Sequence, residues 1–280
     1  MADIKKTNPV STAFMYAVVI IFAVLAIYPI FWLIIQSFKT TQDYMRISKL
    51  AFPTRWFYKN YPIAWETGRF SILILNSVLY TSVTVASILI LSFMAAFAFA
   101  KLPSKLTPIL HGSFIIGILL TLQSILVPLF LMINAVGLYN TRLGVLIPYI
   151  GIGLPMAVYL GTEYIKSIPD SIIESARIDG AKYFQIFWKI IMQMAAPVAA
   201  TVVILGITGT WNEFMLINIL VSKTELKSLP VGVNQFSGAL ASDYGKQFSA
   251  LVIGMTPMVI FYLIFRKQIT KGVSAGAVKG

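Results

Sequence analysis

Long apolar windows separated by short polar segments constrain the fold of this 280-residue chain more than any other feature. A bilayer core of about 30 Å needs roughly 20 apolar residues in a helix. Runs of that length fit helices better than the short alternating segments of a membrane barrel. The sequence therefore predicts an all-α integral membrane protein with six transmembrane helices in a single domain, 1–280. We place the spans at residues 12–36, 71–100, 107–133, 143–165, 198–221 and 247–266.

Composition supports a membrane protein and excludes several kinds of chemistry. Only 11% of the residues are charged, against roughly 25% in ordinary soluble domains. The net charge is +12, but the basic residues lie between apolar windows, so lipid is the expected anionic partner and nucleic acid is not expected. The chain has no cysteine, and its one histidine, His111, has no acid beside it in sequence. We therefore expect no metal site and no catalytic residue.

The distribution of positive charge gives a weak prediction of orientation. Lys5 and Lys6 share a predicted side with Lys101, Arg177 and the basic carboxyl-terminal segment. The first loop, on the other side, is also basic. The positive-inside rule therefore favours cytoplasmic termini only modestly.

Four prolines lie within or near the apolar windows. Each removes a backbone donor and is expected to kink its helix. Ordinary helix irregularity and a bent lining for a transport pathway are both compatible with them. They are Pro128, Pro148, Pro155 and Pro257.

A polar segment at residues 167–194, between the fourth and fifth windows, predicts two short helices joined by a turn. Pro169, Asp170 and Glu174 suit the start of a helix, where proline and acids are favourable. Gly180 offers a low-cost break. From these residues alone, an amphipathic linker on the lipid headgroups and a docking segment for a partner both remain open.

The same segment resembles a known motif. Glu174, Ser175 and Ala176, followed by Asp-Gly-Ala at 179–181, resemble the EAA loop of permeases in bacterial ATP-binding-cassette importers. Gln193 departs from the pattern, since relatives usually carry proline there.

Further matches extend over almost the whole chain. They are Tyr-Pro-Ile-Phe-Trp at 28–32, Val-Pro-Leu-Phe at 127–130, Gly-Leu-Tyr-Asn-Thr at 137–141, Trp-Asn-Glu-Phe at 211–214 and Leu-Pro-Val-Gly at 229–232. Together they are similar to the second permease of carbohydrate importers, the smaller membrane subunit of the maltose transporter family.

The resemblance implies a type I importer in a bacterial cytoplasmic (inner) membrane, with both termini cytoplasmic. It implies a heterodimer with a second permease, two ATPase subunits, an extracytoplasmic solute-binding protein, and a carbohydrate substrate, with an oligosaccharide expected. ATP and Mg would be bound by the partner ATPase and no cofactor by this chain. The residues expected to couple to the ATPase are Glu174, Ser175, Ala176, Asp179, Gly180 and Ala181. The terminal residues Ser274, Ala275 and Gly276 are expected to reach the ATPase interface.

Candidate pathway residues come mainly from the fifth window. In a continuous helix Thr208, Trp211, Asn212 and Met215 share one stripe, and an aromatic ring beside an amide suits a sugar. Glu213 lies off that stripe, where a buried hydrogen bond between helices is its simplest role. Weaker candidates are Asn76 and Gln123.

Two other functions remain open from the residues. An ion-coupled secondary transporter needs intramembrane acids, for which Glu163 and Glu213 are the candidates. An intramembrane hydrolase needs an activated nucleophile, and the spacing of His111 and Ser113 is too generic to indicate one. The chain also lacks a phosphate-binding loop, since the nearest string, residues 238–247, has two extra residues and no Ser or Thr after its lysine. The sequence does not identify the carbohydrate.

Overall fold

A computed structural model of the chain describes residues 9–102, 104–238 and 243–277, and every regular element within those ranges is helical. This confirms the all-helical prediction. Four of the described helices are long and apolar enough to cross a membrane unbroken. They are α1 (Pro9–Ser37), α4 (Phe70–Lys101), α7 (Arg142–Lys166) and α14 (Tyr244–Ala277).

Two further candidate spans are bent pairs, which brings the number in the described residues to as many as six. The first is α5 (Thr107–Leu119) with α6 (Leu122–Ala135), whose axes differ by 109°. The second joins Tyr183–Met194 to α11 (Ala196–Asn212) at 78°. The shorter α-helices of the described residues are α2 (Thr41–Arg46), α3 (Asn60–Thr67), α8 (Asp170–Ile178), α9 (Tyr183–Ile186), α10 (Met192–Met194), α12 (Met215–Leu220) and α13 (Leu229–Gly238). A π-helical turn at Phe187–Ile191 and a 3-10 helix at Thr224–Leu226 complete them.

The third and fifth windows are not the continuous helices that the sequence predicts. Window 107–133 breaks at Leu120 and Thr121, whose backbone is extended, and the Thr121 hydroxyl lies 2.8 Å from the Ser124 hydroxyl. Window 198–221 breaks at Glu213, which is also extended. The prolines expected to kink their helices, in contrast, lie inside elements that remain helical: α6, α7 and α14.

The described residues divide into two compact units. One comprises those within residues 1–68 and 233–257, and the other those within 69–232 and 258–280. A single membrane domain therefore stays a prediction from the sequence, and each unit is described by itself.

The first unit surrounds the end of α1 with buried polar contacts. The Asn60 amide donates to the carbonyls of Ser37 (2.8 Å) and Lys39 (2.9 Å), and the Ser249 hydroxyl donates to the Ser37 carbonyl at 3.1 Å. A Cβ at Gly245 would collide with the Lys39 carbonyl. Glycine at this position therefore lets α14 lie directly against the polypeptide that follows α1.

In the second unit, α4 packs along α7 and α11. A Cβ on Gly161 would come within 3.0 Å of Ala96, and one on Gly153 would collide with Ile88. Small residues matter here because lipid provides no hydrophobic force between helices, so the pairing depends on close contact. The same packing extends past the ends of α4 and α7 to residues 173–195, where α8 and α9 contribute buried side chains to one apolar cluster.

Candidate functional site

The predicted docking segment folds as two short helices joined by a tight turn. Helix α8 begins at Asp170, directly after Pro169, and ends at Ile178. Gly180 then adopts a φ of +81°, a conformation that side-chain-bearing residues rarely adopt. The Lys182 N–H donates to the Gln185 side chain at 2.8 Å and begins α9. Asp170 and Gly180 thus occupy the positions at which the sequence predicts them, whereas Pro169 directly precedes the first turn of α8 and does not lie within it.

One face of α8 is exposed and the other is buried in its own unit. Glu174, Ser175, Asp179 and Gly180 are exposed, as a docking surface requires. Ala176 is only 9% exposed and packs in the apolar cluster. Of the residues expected to couple to the ATPase, Ala176 therefore faces the protein interior, because the helical period turns this residue inward.

Ala181 is half-buried and packs against the same apolar cluster. Its backbone groups close the turn: the N–H donates to the Ala176 carbonyl at 2.9 Å, and the carbonyl accepts from Arg177 at 2.9 Å. Ala181 therefore shapes the docking segment more than it exposes surface for a partner.

The exposed surface of this segment also includes apolar side chains and a basic one. Ile178 is 86% exposed, and Phe184 is 69% exposed. The Arg177 guanidinium lies 4.7 Å from the centre of the Tyr183 ring. An apolar side chain at the end of an otherwise polar helix was the signal available in the sequence. Apolar groups rimmed by charges form the kind of surface that binds another protein.

Apolar contacts fix this segment to the membrane helices of the same unit. The Phe97 and Phe187 rings lie 5.7 Å apart, which joins the last turns of α4 to a π-helical turn, Phe187–Ile191. Ile173, Ile186 and Ile191 are buried in the same cluster. The buried side chains of α8 therefore belong to one packed cluster with side chains of the membrane helices, so a displacement of α8 would disturb that packing.

A cavity of about 380 Å³ lies within the second unit, mainly between α7 and α11. Gly153, Gly206 and Gly209 contribute to its wall, and of these three only Gly209 would carry a Cβ that meets no atom within 4 Å. Most of the lining is apolar, and the Tyr149 hydroxyl and the Glu213 carboxylate supply polar groups. A second apolar cavity of about 750 Å³ lies beside α5, α6 and α7.

Glu213 has a structural role at the break in the fifth window. One carboxylate oxygen accepts the Leu216 N–H at 2.6 Å. The other accepts the Tyr149 hydroxyl at 2.7 Å and the Ile217 N–H at 3.2 Å. The carboxylate therefore caps the start of α12, where a negative charge is favourable. It is held there by α7, in agreement with a hydrogen-bonded role between helices.

The predicted pathway stripe is not continuous and does not line the 380 Å³ cavity. Helix α11 ends at Asn212, so Met215 belongs to the next helix and its assignment to the stripe is wrong. The Asn212 amide donates to the Thr208 carbonyl at 2.9 Å, and the Thr208 hydroxyl donates to the Ile204 carbonyl at 2.8 Å. Trp211 is half-buried, and the cavity is instead lined by the α11 face that carries Gly206 and Gly209, together with Glu213 at the break.

The two weaker pathway candidates, Asn76 and Gln123, differ in burial. Asn76 is 3% exposed, and its amide donates to the carbonyls of Glu225 (2.7 Å) and Lys227 (3.0 Å). It therefore holds the chain that follows α12. Gln123 is exposed in the first turn of α6.

The terminal residues expected at the ATPase interface, Ser274, Ala275 and Gly276, have a helical backbone in α14, and their side chains lie outside what the structure describes. Within residues 9–102, 104–238 and 243–277, no three histidine, aspartate or glutamate side chains are close enough to hold a metal ion.

As many as six candidate spans in the described residues, with an exposed helix–turn–helix packed on the helices of its own unit, are features of a multi-pass membrane protein. The chain matches the family described as "Binding-protein-dependent transport system inner membrane component" over residues 5–274, and it belongs to that family. It is thus a multi-pass inner membrane protein, the permease of an ATP-binding-cassette transporter, and not itself an enzyme. The family match favours this function over the ion-coupled transporter and the hydrolase.

Individual relatives confirm the resemblance found in the sequence. The chain is 33% identical over 257 residues to the probable ABC transporter permease protein YurM of Bacillus subtilis (strain 168), covering 90% of this chain and 84% of YurM. It is 33% identical to the multiple sugar-binding transport system permease protein MsmG of Streptococcus mutans serotype c, covering 98% and 100% of the two chains.

A solved structure has the same fold. It is a crystal structure of a bacterial ABC transporter involved in the import of the acidic polysaccharide alginate, with a TM-score of 0.80 and 23% sequence identity. The superposition covers 95% of this chain and 99% of the other. The fold is therefore that of a type I importer permease, as the sequence predicts.

Proposed function

We propose that this chain is one of the two different permeases of a carbohydrate importer and carries an oligosaccharide by alternating access. The main support is the end-to-end similarity to MsmG, whose name describes multiple sugar-binding transport. The fold shared with an alginate importer adds support for a saccharide substrate.

In this proposal α8 is the helix through which a separate ATPase acts. The exposed residues Glu174, Ser175, Asp179 and Gly180 would contact the ATPase, together with Ile178. ATP and Mg would be bound by that partner, whose closure would move α8. Because the buried face of α8 lies in one apolar cluster with side chains of α4 and α7, the movement would change access to the membrane interior.

The remaining parts of the assembly complete the proposal. A second permease would share the pathway, two ATPase subunits would supply energy, and an extracytoplasmic binding protein would deliver the sugar. The tail residues Ser274, Ala275 and Gly276 would approach the ATPase, and both termini would lie in the cytoplasm.

Purification of the intact complex tests this proposal. The chain is extracted from its native membrane in mild detergent, the co-purifying proteins are identified by mass spectrometry, and ATP hydrolysis is measured. A second permease, an ATPase and a saccharide-binding protein are expected. Recovery of the chain without an ATPase under several gentle conditions would contradict the proposal. The melting temperature of the co-purified binding protein is then measured with different saccharides. Those that raise it identify the substrate class.

Two substitutions in α11 test the pathway. If the stripe formed by Thr208, Trp211 and Asn212 contacts substrate, Asn212→Leu reduces uptake while assembly is retained. Gly209→Leu is the matched variant, because a Cβ at Gly209 meets no atom within 4 Å and Gly209 lines the cavity, which Asn212 does not. A larger loss with Gly209→Leu than with Asn212→Leu would place the pathway in the cavity instead.

A further inference from the structure

We infer that Lys101 is a positioning residue that couples α8 to the membrane helices. Its ammonium group connects the end of α4 to the start of α8, so that displacement of α8 is passed directly to α4. This inference rests on the proposed function, because it takes α8 to be the helix that the ATPase moves.

The geometry places one ammonium group where the ends of three helices meet. Lys101 is the last residue of α4, and its side chain is 4% exposed. Its Nζ donates to the Ile168 carbonyl at 2.6 Å, two residues beyond the end of α7 at Lys166. The same Nζ lies 2.6 Å from a carboxylate oxygen of Asp170, the first residue of α8. The two acceptors lie on either side of Pro169.

A buried ammonium group needs such partners. Lysine is almost never fully buried unless its charge is paired, because removal of an unpaired charge from water is costly. Here a full negative charge and a carbonyl near the end of α7 satisfy two of the three donors of Lys101. These bonds are directional, so they fix where α8 begins relative to α4. Apolar contact is not directional and would fix this position less well.

A second contact reaches the same part of α4 from the other end of the docking segment. Phe97, one turn before Lys101, packs against Phe187 with the ring centres 5.7 Å apart. The last turn of α4 is therefore held by a charged contact at the start of α8 and an apolar contact beyond α9. Coupling between distant sites is carried by contiguous contacts of this kind.

A neighbouring lysine provides a matched control. Lys166 forms its ion pair with Glu163 at 2.8 Å, and both side chains are 48% exposed. Both residues lie in α7, so their contact joins no other helix. Substitution of Lys166 removes the same charge close by without breaking a connection between helices.

The test uses the assembled importer in lipid nanodiscs with its co-purified, ligand-loaded binding protein. Two quantities are measured: ATP hydrolysis with and without the binding protein, and protection of a cysteine on α8 from a thiol reagent. Because the chain has no cysteine, Ser175→Cys gives a single reporter of ATPase docking. We expect Lys101→Met to lower the stimulation by the binding protein to less than half, with cysteine protection and basal hydrolysis retained. Lys101→Arg should restore the stimulation, and Lys166→Met should resemble the parent.

A second variant avoids a change in the buried group. The Asp170 side chain is 75% exposed, so Asp170→Asn removes the charge partner while leaving the Lys101 bond to Ile168 in place. A smaller loss of stimulation is expected, and this variant decides the matter if Lys101→Met does not assemble. Full stimulation of ATP hydrolysis by the binding protein in both variants would overturn the inference. If Lys101→Met cannot be assembled, full stimulation in Asp170→Asn would overturn it. An unprotected Ser175→Cys in the parent complex would instead refute the docking role of α8 in the proposed function.

Discussion

Glu213 ends α11 and caps α12 with one carboxylate, and the consequence can be tested on stability. We expect Glu213→Gln to lower the melting temperature, because the amide keeps an acceptor but loses the charge that strengthens bonds to Leu216 and Ile217. Hydrogen bonds to charged groups contribute about 1.5–3 kcal/mol each. Tyr149→Phe removes a single donor to the same carboxylate and should cost about 1.5–3 kcal/mol.

Thermal unfolding of the purified importer, followed by tryptophan fluorescence, measures both variants and their combination. The two changes should be non-additive, because the Tyr149 hydroxyl and the Glu213 carboxylate share one bond. Wild-type stability in Glu213→Gln would show that the carboxylate does not hold the break.

Asp243 gives the first unit a pH dependence of known sign. Burial raises the pKa of this carboxyl, but hydrogen bonds and charge from Lys246 and a bond from Thr41 outweigh burial and hold the pKa below its usual value. A carboxyl with a lowered native pKa stabilises the fold above its usual pKa of about 3.9 and loses that contribution as pH falls through the native value.

We therefore expect the melting temperature to fall in the wild type between neutral pH and about pH 3, partly because Asp243 is protonated. Asp243→Asn should be less stable at neutral pH and should show a smaller fall. Parallel curves for the two proteins would contradict the assignment. The 2.7 Å ion pair with Lys246 links α14 to the residue before it, so local loss of this contact is the expected first step.

Gly180 is the turn between α8 and α9, and its conformation predicts a graded series of substitutions. Since a Cβ there meets no atom within 4 Å, any cost comes from the φ of +81° and not from a collision. Gly180→Ala should cost about 1–2 kcal/mol and weaken ATPase retention. Gly180→Asn should be milder, because asparagine tolerates this conformation.

Co-purification of the ATPase measures the series. Gly112→Ala is the control, since a Cβ at Gly112 also meets no atom within 4 Å but its φ is ordinary for a helix. Equal losses for alanine and asparagine at Gly180 would show that close approach of the partner, and not backbone conformation, explains the glycine.

Substitution of Glu174 by alanine, which leaves the turn unchanged, should weaken docking through the loss of its exposed carboxylate alone.

At the scale of helices, local chemistry predicts the two short helices and the turn within residues 167–194 better than it predicts the spans. Pro169 and Gly180 act through their own backbone conformation, and Asp170 acts on the helix dipole at the start of α8. Their roles are therefore visible in the sequence. The breaks at Thr121 and Glu213 depend on contacts from other turns or helices, which a hydropathy window does not include. Proline was a poor guide to the breaks, because neighbouring helices can accommodate it within a membrane span.

The same distinction between local effects and contacts from other helices applies to the residues of the candidate site. Exposure of Glu174 and Ser175 follows from helical period once α8 is placed. The inward position of Ala176 depends on which side of α8 the membrane helices lie, and sequence alone does not give that. Asn212 was placed on a stripe by assuming a continuous helix through Met215, and the carboxylate of Glu213 is what ends that helix.

For the whole molecule, the charge count in the first loop is misleading. Lys39 counts as a loop charge, yet it is fully buried and its Nζ donates to the Ser48 carbonyl at 3.2 Å. Burial lowers the pKa of its ammonium group, although Asp43 partly opposes this. A lysine held in packed protein does not report on membrane orientation as a solvated one does, so the first loop can face outward despite its basic residues.

Cysteine labelling in intact cells tests that orientation. Met45 is 73% exposed in the first unit, and Ser175 is exposed on α8. With no native cysteine in the chain, Met45→Cys should react with a membrane-impermeant thiol reagent in intact cells. Ser175→Cys should react only after the membrane is opened and the ATPase removed, because α8 is expected on the cytoplasmic side under its partner. Labelling of Ser175→Cys from outside, with Met45→Cys protected, would reverse the topology and leave α8 unable to meet a cytoplasmic ATPase.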